Sequence, residues 1–260
     1  MAHLNVTGVD PFNGTCTVNA WSRHWSGTLS MNATWWDSVV VDANLTVPSG
    51  VTLTINPGTK IVSDSGVTIT VNGLLLANGE EGDSIRFMAA PGVSEWGGIY
   101  LNGGYASVSY SVIKDARVAF WAENAGVSDI AMQLTDTRFD GGTLKITGSP
   151  TRTHYIERVT IHDVPEAFGI SGFNFLNTSV YAEDFTVLRS GYRTGSLSNT
   201  TGIILRGHFS GQANDWGLMF WGSTNGIQLK CCQIEHIAPD STNPGASVWC
   251  QSNANPLPLG

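Results

Sequence analysis

Six hexapeptides in the second half of the chain share one pattern. They are Val108-Ser-Tyr-Ser-Val-Ile113, Leu134-Thr-Asp-Thr-Arg-Phe139, Ile156-Glu-Arg-Val-Thr-Ile161, Ala182-Glu-Asp-Phe-Thr-Val187, Ile204-Leu-Arg-Gly-His-Phe209 and Leu229-Lys-Cys-Cys-Gln-Ile234. Each begins and ends on an apolar residue. The fourth position is small or apolar: Ser111, Thr137, Val159, Phe185, Gly207 and Cys232. Successive units start 26, 22, 26, 22 and 25 residues apart. A unit of that size cannot bury its apolar edge alone. It must stack on copies of itself, which restricts the chain to a solenoid.

The rest of the sequence agrees. Val39-Val-Val41, Leu45-Thr-Val47, Val51-Thr-Leu-Thr-Ile55 and Val67-Thr-Ile-Thr-Val71 alternate apolar and polar residues between Gly, Pro, Asn and Asp, the signature of short half-buried strands. A second strand column accompanies the hexapeptides: Gly98–Leu101, Val118–Trp121, Leu144–Ile146, Phe168–Ser171, Gly217–Phe220 and Ser247–Trp249. Charged residues make up only 13% of the chain, and 30 of 260 residues are glycine. That composition excludes a coiled coil and disfavours a helical bundle. The 42% hydrophobic content excludes wholesale disorder.

The segments Leu45-Thr-Val-Pro-Ser-Gly-Val-Thr-Leu-Thr-Ile-Asn-Pro-Gly-Thr59, Val67-Thr-Ile-Thr-Val-Asn-Gly-Leu-Leu-Leu-Ala-Asn-Gly79 and Trp96-Gly-Gly-Ile99 resemble the opening of right-handed parallel β-helix proteins of the pectate-lyase-like superfamily. The resemblance covers residues 38 to 250 and implies an all-β solenoid of about nine coils, roughly 40–45 Å long. Three regions are expected: a cap or docking arm over 1–37, the β-helix over 38–252, and a tail over 253–260. In that superfamily the corner inside the hexapeptide often carries an asparagine ladder. Here the third position reads Tyr110, Asp136, Arg158, Asp184, Arg206 and Cys231. Stacking would make Asp136, Arg158, Asp184 and Arg206 a column of alternating charge that fixes the register between coils. The competing explanation is a turn column that simply prefers polar residues.

The net charge of −8 argues against nucleic acid as the main partner. No apolar run reaches the length of a membrane span. The four cysteines, Cys16, Cys231, Cys232 and Cys250, lack zinc-site spacing, and their even number fits two disulfides. Neighbouring Cys231 and Cys232 are not expected to pair with each other. Cys16 sits a coil stack away, so it must reach back, stay free or bond another subunit. Asn-X-Ser/Thr sequons occur at Asn5, Asn13, Asn32, Asn44, Asn177 and Asn199 and mark candidate glycosylation sites. These features favour an extracellular or cell-surface setting. Met1-Ala2-His3-Leu4 has neither the basic start nor the apolar stretch of a signal peptide. That leaves a processed form, or an exit route of the kind virion proteins use.

Candidate chemistry is sparse. The acidic motifs that the resemblance would imply for polygalacturonases are absent. Of the calcium-site candidates Asp115, Asp136, Asp140, Asp163 and Arg158, the turn column accounts for Asp136 and Arg158, and the positions equivalent to Asp115 and Asp163 read Gly141, Arg189, Gly211 and His236, a scatter that marks loop entry and not a calcium cage. Glu157 and Glu183 occupy equivalent positions of successive units, so stacking would bring them near each other as glycosidase work requires; the position leads into a corner, and a solvated surface pair is the competing reading. No cofactor or metal is expected. Trp96, Trp121, Trp216 and Trp221 could line one strip for stacking on sugar or on another protein. Against this, they could cover loop junctions. The favoured function is an extracellular structural protein, a surface-layer or filament subunit that associates with itself. The alternatives are a β-helix polysaccharide lyase or glycoside hydrolase, and a virion tail component or glycan-binding adhesin. Its partners are therefore other copies of the chain, with carbohydrate as the second candidate.

Overall fold

A computed structural model describes residues 2–9, 15–123, 130–148, 151–211, 216–222, 226–235 and 248–250. The chain is a parallel β-solenoid in which each coil contributes a strand to each of three faces. Face III starts at Ala33–Trp35 and runs through nine parallel strands to Gly226–Lys230. Face II includes Lys60–Ser63, Ile85–Ala89, Ser111–Lys114, Arg138–Asp140 and Thr160–His162. Face I includes Thr68–Val71, Gly98–Asn102, Val118–Glu123, Thr143–Thr147 and Ser171–Leu176. The chain visits the faces in the order III, II, I. The longer strand Ser38–Val47 bends across a corner: residues 38–41 pair into face II and residues 45–47 into face I.

The hexapeptide is the piece of each coil that turns from face III to face II. Its first, fourth and sixth residues point inward, as the buried Leu134, Thr137 and Phe139 illustrate. Register stacks these positions vertically. Val39, Ile61, Phe87, Ile113, Phe139, Ile161, Val187 and Phe209 form one continuous inward column on face II. Removing one such side chain from water contributes roughly 1.5–3 kcal/mol, and each coil supplies several. Phe173, Phe175, Phe185 and Phe209 pack together, with Phe173 centroids 4.8, 5.2 and 5.7 Å from the other three.

Two boundaries differ from the expectation. Arg23–Trp25 pairs with Val39–Val41, and Ala33–Trp35 opens face III, so the stack begins ahead of residue 38. The segment Phe168–Ser171 is not a strand throughout: a 3-10 turn covers Glu166–Phe168, and the strand starts at Ser171. The tail 253–260 and Asn13 lie outside the described residues. Among the described residues, no helix is long and apolar enough to cross a membrane.

Candidate functional site: the corner ladders

A strand can turn a sharp corner in one residue only if that residue adopts left-handed backbone angles. The third hexapeptide position does so in all six units: φ is +43° at Tyr110, +47° at Asp136, +51° at Arg158 and Asp184, +52° at Arg206 and +53° at Cys231. Such a conformation costs a non-glycine residue about 1–2 kcal/mol. Here the corner amide recovers a hydrogen bond to the next coil. The N–H of Asp136 donates to the Glu157 carbonyl at 3.0 Å, that of Arg158 to Glu183 at 2.9 Å, and that of Asp184 to Leu205 at 3.0 Å.

The side chains at this corner pair in twos. Arg158 donates from Nε and Nη2 to the two carboxylate oxygens of Asp136 at 2.6 and 2.8 Å. Arg206 grips Asp184 in the same way, at 2.8 and 2.9 Å. Arg206 also reaches Glu183 at 2.5 Å, and Arg158 contacts Glu157. Hydrogen bonds from Arg206 hold the Asp184 carboxyl below the usual range. The carboxylates in turn push both guanidinium pKa values up.

Two more columns of this kind were not legible as ladders in the sequence. Between faces II and I, Asp115, Asp163 and Arg189 have φ of +59°, +55° and +54°. Arg189 donates twice to Asp163, at 2.5 and 2.8 Å, and holds its carboxyl low. Between faces I and III, Asn177 and Asn199 have φ of +50° and +47°. The Asn199 Nδ2 donates to the Asn177 Oδ1 at 2.9 Å. An asparagine pair therefore does stack, but at a corner outside the hexapeptide. The signal available in the sequence was a polar residue or glycine ending each face at one-coil spacing.

This geometry bears on the sequons. The Oδ1 of Asn32 accepts from the Thr52 amide and that of Asn44 from the Thr68 amide, each at 2.9 Å. Each of these exposed side chains stands in for a strand carbonyl and uses its Oδ1, not its Nδ2, to do so. Asn199, by contrast, uses its Nδ2, the atom a glycan would join, to bind Asn177. Asn5 lies on the strand Ala2–Val9, and its side chain is outside the described residues.

The tryptophans do not form one exposed strip. Trp96 is buried, stacked against Phe87 at 6.4 Å, and its Nε1 donates to the Lys114 carbonyl at 2.7 Å. Trp121 sits between neighbours from the two flanking coils: Tyr100, with ring centroids 4.6 Å apart, and Lys145, whose Nζ lies 3.7 Å from the indole centroid. Both approaches to its ring faces are taken. Tyr100 donates to Glu123, and burial together with that bond raises its hydroxyl pKa to about 12. Trp221 is half-buried with Arg193 6.0 Å from its ring. Trp216 begins a strand of face I, and its side chain lies outside the described residues.

Glu157 and Glu183 are direct register neighbours on face III. A glycosidase general acid needs a raised pKa. Glu183 instead accepts from the Tyr181 hydroxyl at 2.6 Å and from Arg206, and both bonds lower its pKa. Cys231, Cys232 and Cys250 carry free thiols. Cys231 is exposed at its corner, while Cys232 is half-buried and burial raises its thiol pKa. Cys16 lies on the strand Thr15–Thr28, and its side chain is outside the described residues.

Stacked coils locked by polar corners define the class of protein: a parallel β-solenoid. No protein-family model matches the chain, and no curated protein matches it. Among solved structures, it is similar to the surface protein and adhesin PfbA of Streptococcus pneumoniae, at 8% identity over 92% of this chain and 91% of that one, with a TM-score of 0.28. A likeness that slight carries nothing about function.

Proposed function

We propose that the protein is a structural subunit of an extracellular surface layer or filament, and that it assembles by self-association through its N-terminal arm. The observation that carries this reading is the register of the first two strands. Strand β1 (Ala2–Val9) pairs antiparallel with residues 15–22 of β2 (Thr15–Thr28). Only residues 23–28 of β2 pair into the solenoid. The register pairs Leu4 with Ala20, Val6 with Val18 and Gly8 with Cys16, in alternation with Asn5–Asn19 and Thr7–Thr17. An isolated two-stranded ribbon is marginal in water. It gains stability by pairing with or packing on a partner.

The corner ladders support the same reading. The acids and bases best placed for chemistry are spent on joining coils. The arm carries Cys16, and exposed thiols of Cys231 and Cys250 lie in the C-terminal coils. A disulfide between the arm of one copy and the last coils of the next is the covalent form of this contact. Sedimentation and electron microscopy of the full chain test the proposal. The expected result is concentration-dependent oligomers, with a ladder on non-reducing gels after air oxidation. Val6→Asp with Val18→Asp places two like charges at one register pair of the ribbon and should yield monomers with an unchanged β-sheet spectrum. A wild type that stays monomeric at high concentration, or a variant that assembles equally well, overturns it.

A further inference from the structure

We propose that the outer side of face I binds a small amphipathic carboxylate, an organic acid with a compact apolar body and a single negative charge. Two hollows adjoin there and share Val118. The first, about 290 Å³, is lined by Ile99, Tyr100 and Trp121. The second, about 210 Å³, is walled by Lys145, Asn174, Tyr192 and Arg193. Tyr100, Trp121, Lys145 and Asn174 are register neighbours along four successive coils, so one hollow continues into the next. Lys145 marks the junction, with its Nζ 3.7 Å from the Trp121 ring centroid. A loop supplies a further wall through Gly169 and Ile170. It spans eight residues, 163–170, where the preceding coil turns the same corner with two, 141–142. Arg117 tethers this loop, donating from Nη2 to the Phe168 carbonyl at 2.6 Å.

The chemistry of the walls selects the ligand. The Arg193 Nε is buried and has no hydrogen-bond partner among the described residues, while its Nη2 donates to the Tyr192 hydroxyl at 3.1 Å. A buried N–H without an acceptor is costly, and a carboxylate oxygen supplies that acceptor in a charge-assisted bond. Lys145 forms no ion pair among the described residues, and no carboxylate among them lines either hollow. The first hollow suits the apolar end of the ligand. Tyr100 and Lys145 already cover the faces of the Trp121 ring. What remains is ring edges and the Val118 methyl groups, with no free face for a sugar to stack on. Aromatic edges favour the face of another aromatic ring. Both hollows fall below the ~300 Å³ at which clefts begin to hold drug-sized ligands, so the site suits one ring joined to one acid group and not a polymer. A single charge also suits a chain of net charge −8. That charge is spread over the surface and screened beyond about 8–10 Å, while the two cations act at contact. This inference is independent of the assembly proposed above.

Calorimetric titration of the full chain with phenylpropionate, its neutral amide, acetate and glucuronate tests the site. The expected result is saturable binding of phenylpropionate, with the amide, which lacks the charge, and acetate, which lacks the ring, each weaker by about tenfold or more. Arg193→Gln and Lys145→Met should each weaken phenylpropionate by about tenfold. Lys145→Met keeps an apolar stem beside Trp121 and carries the test should the Arg193 variant misfold. Arg86→Gln removes one exposed charge from face II and should leave affinity within about twofold. No saturable binding of phenylpropionate, an amide that binds as well as the acid, tighter binding of glucuronate, or equal loss from Arg86→Gln and the two site variants each overturns the proposal.

Discussion

His154 is the most sensitive point in the core. It points inward from the strand Thr153–Glu157, in register between Met132 and Val180. It is fully buried, and neither ring nitrogen has a hydrogen-bond partner among the described residues. Burial lowers its pKa from 6.5 to about 4. Two effects follow for His154→Leu. At neutral pH the variant loses an unsatisfied donor and acceptor and gains an apolar neighbour for Met132 and Val180, so it should be more stable by about 1–3 kcal/mol. The second effect depends on pH. The unfolded chain takes up a proton on this ring below pH 6.5, whereas the folded chain resists until about pH 4. The unfolded state therefore binds more protons in that window, and wild-type stability falls with pH at up to about 1.4 kcal/mol per unit. Across the window this amounts to roughly 3 kcal/mol. Above it and below it the ring contributes no slope. The assay is urea denaturation followed by far-ultraviolet circular dichroism at pH 7.5, 6, 5 and 4. Carboxylate titration affects wild type and variant alike, so the gap between them isolates His154. The gap should widen steadily from pH 6.5 to 4. A gap constant with pH, or a variant less stable than wild type at every pH, refutes the reasoning.

Exchanging charges tests the corner ladder. Asp184→Arg or Arg206→Asp alone should lower the melting temperature, and the double exchange should regain most of the loss, because both positions share the same backbone angles; equal melting of all three variants would contradict a registering role. Glycine replacement separates contact from conformation. Gly202→Ala drives a Cβ to 1.9 Å from the Val180 carbonyl oxygen and should cost more than about 2 kcal/mol in a denaturation midpoint series. Gly50→Ala, at φ +81° in open space, should cost only about 1 kcal/mol. Cys231→Gly relieves a left-handed cysteine and should stabilise by about 0.5 kcal/mol by the same measure; a loss of stability there would show the thiol to be structural.

The hexapeptide was legible because its corner is a single residue. With no room for insertion, inward positions one, four and six hold their spacing in every unit. Face I was less legible. The strand Arg193–Ser198 shows no apolar alternation, since the inward site at Gly195 is filled by the Phe173 ring of the preceding coil; a Cβ there would lie 2.1 Å from it. One coil's side chain occupies the next coil's volume, and a pattern read along the chain cannot register that. Trp96 shows the same limit. Its Glu-Trp-Gly setting matches Asp215-Trp216-Gly217, but burial depends on Phe87 across the stack. Lys60, Arg86, Lys114 and Arg138 likewise come from separate strands and share face II only through inter-coil register.

The corner pairs also impose a parity on the molecule. Asp136 and Arg158 are 22 residues apart, as are Asp184 and Arg206, and 48 residues separate one couple from the next. Splicing in a lone coil would strand one carboxylate or one guanidinium without its mate. Splicing in two would leave every couple intact, so the natural increment of this rod is the doublet.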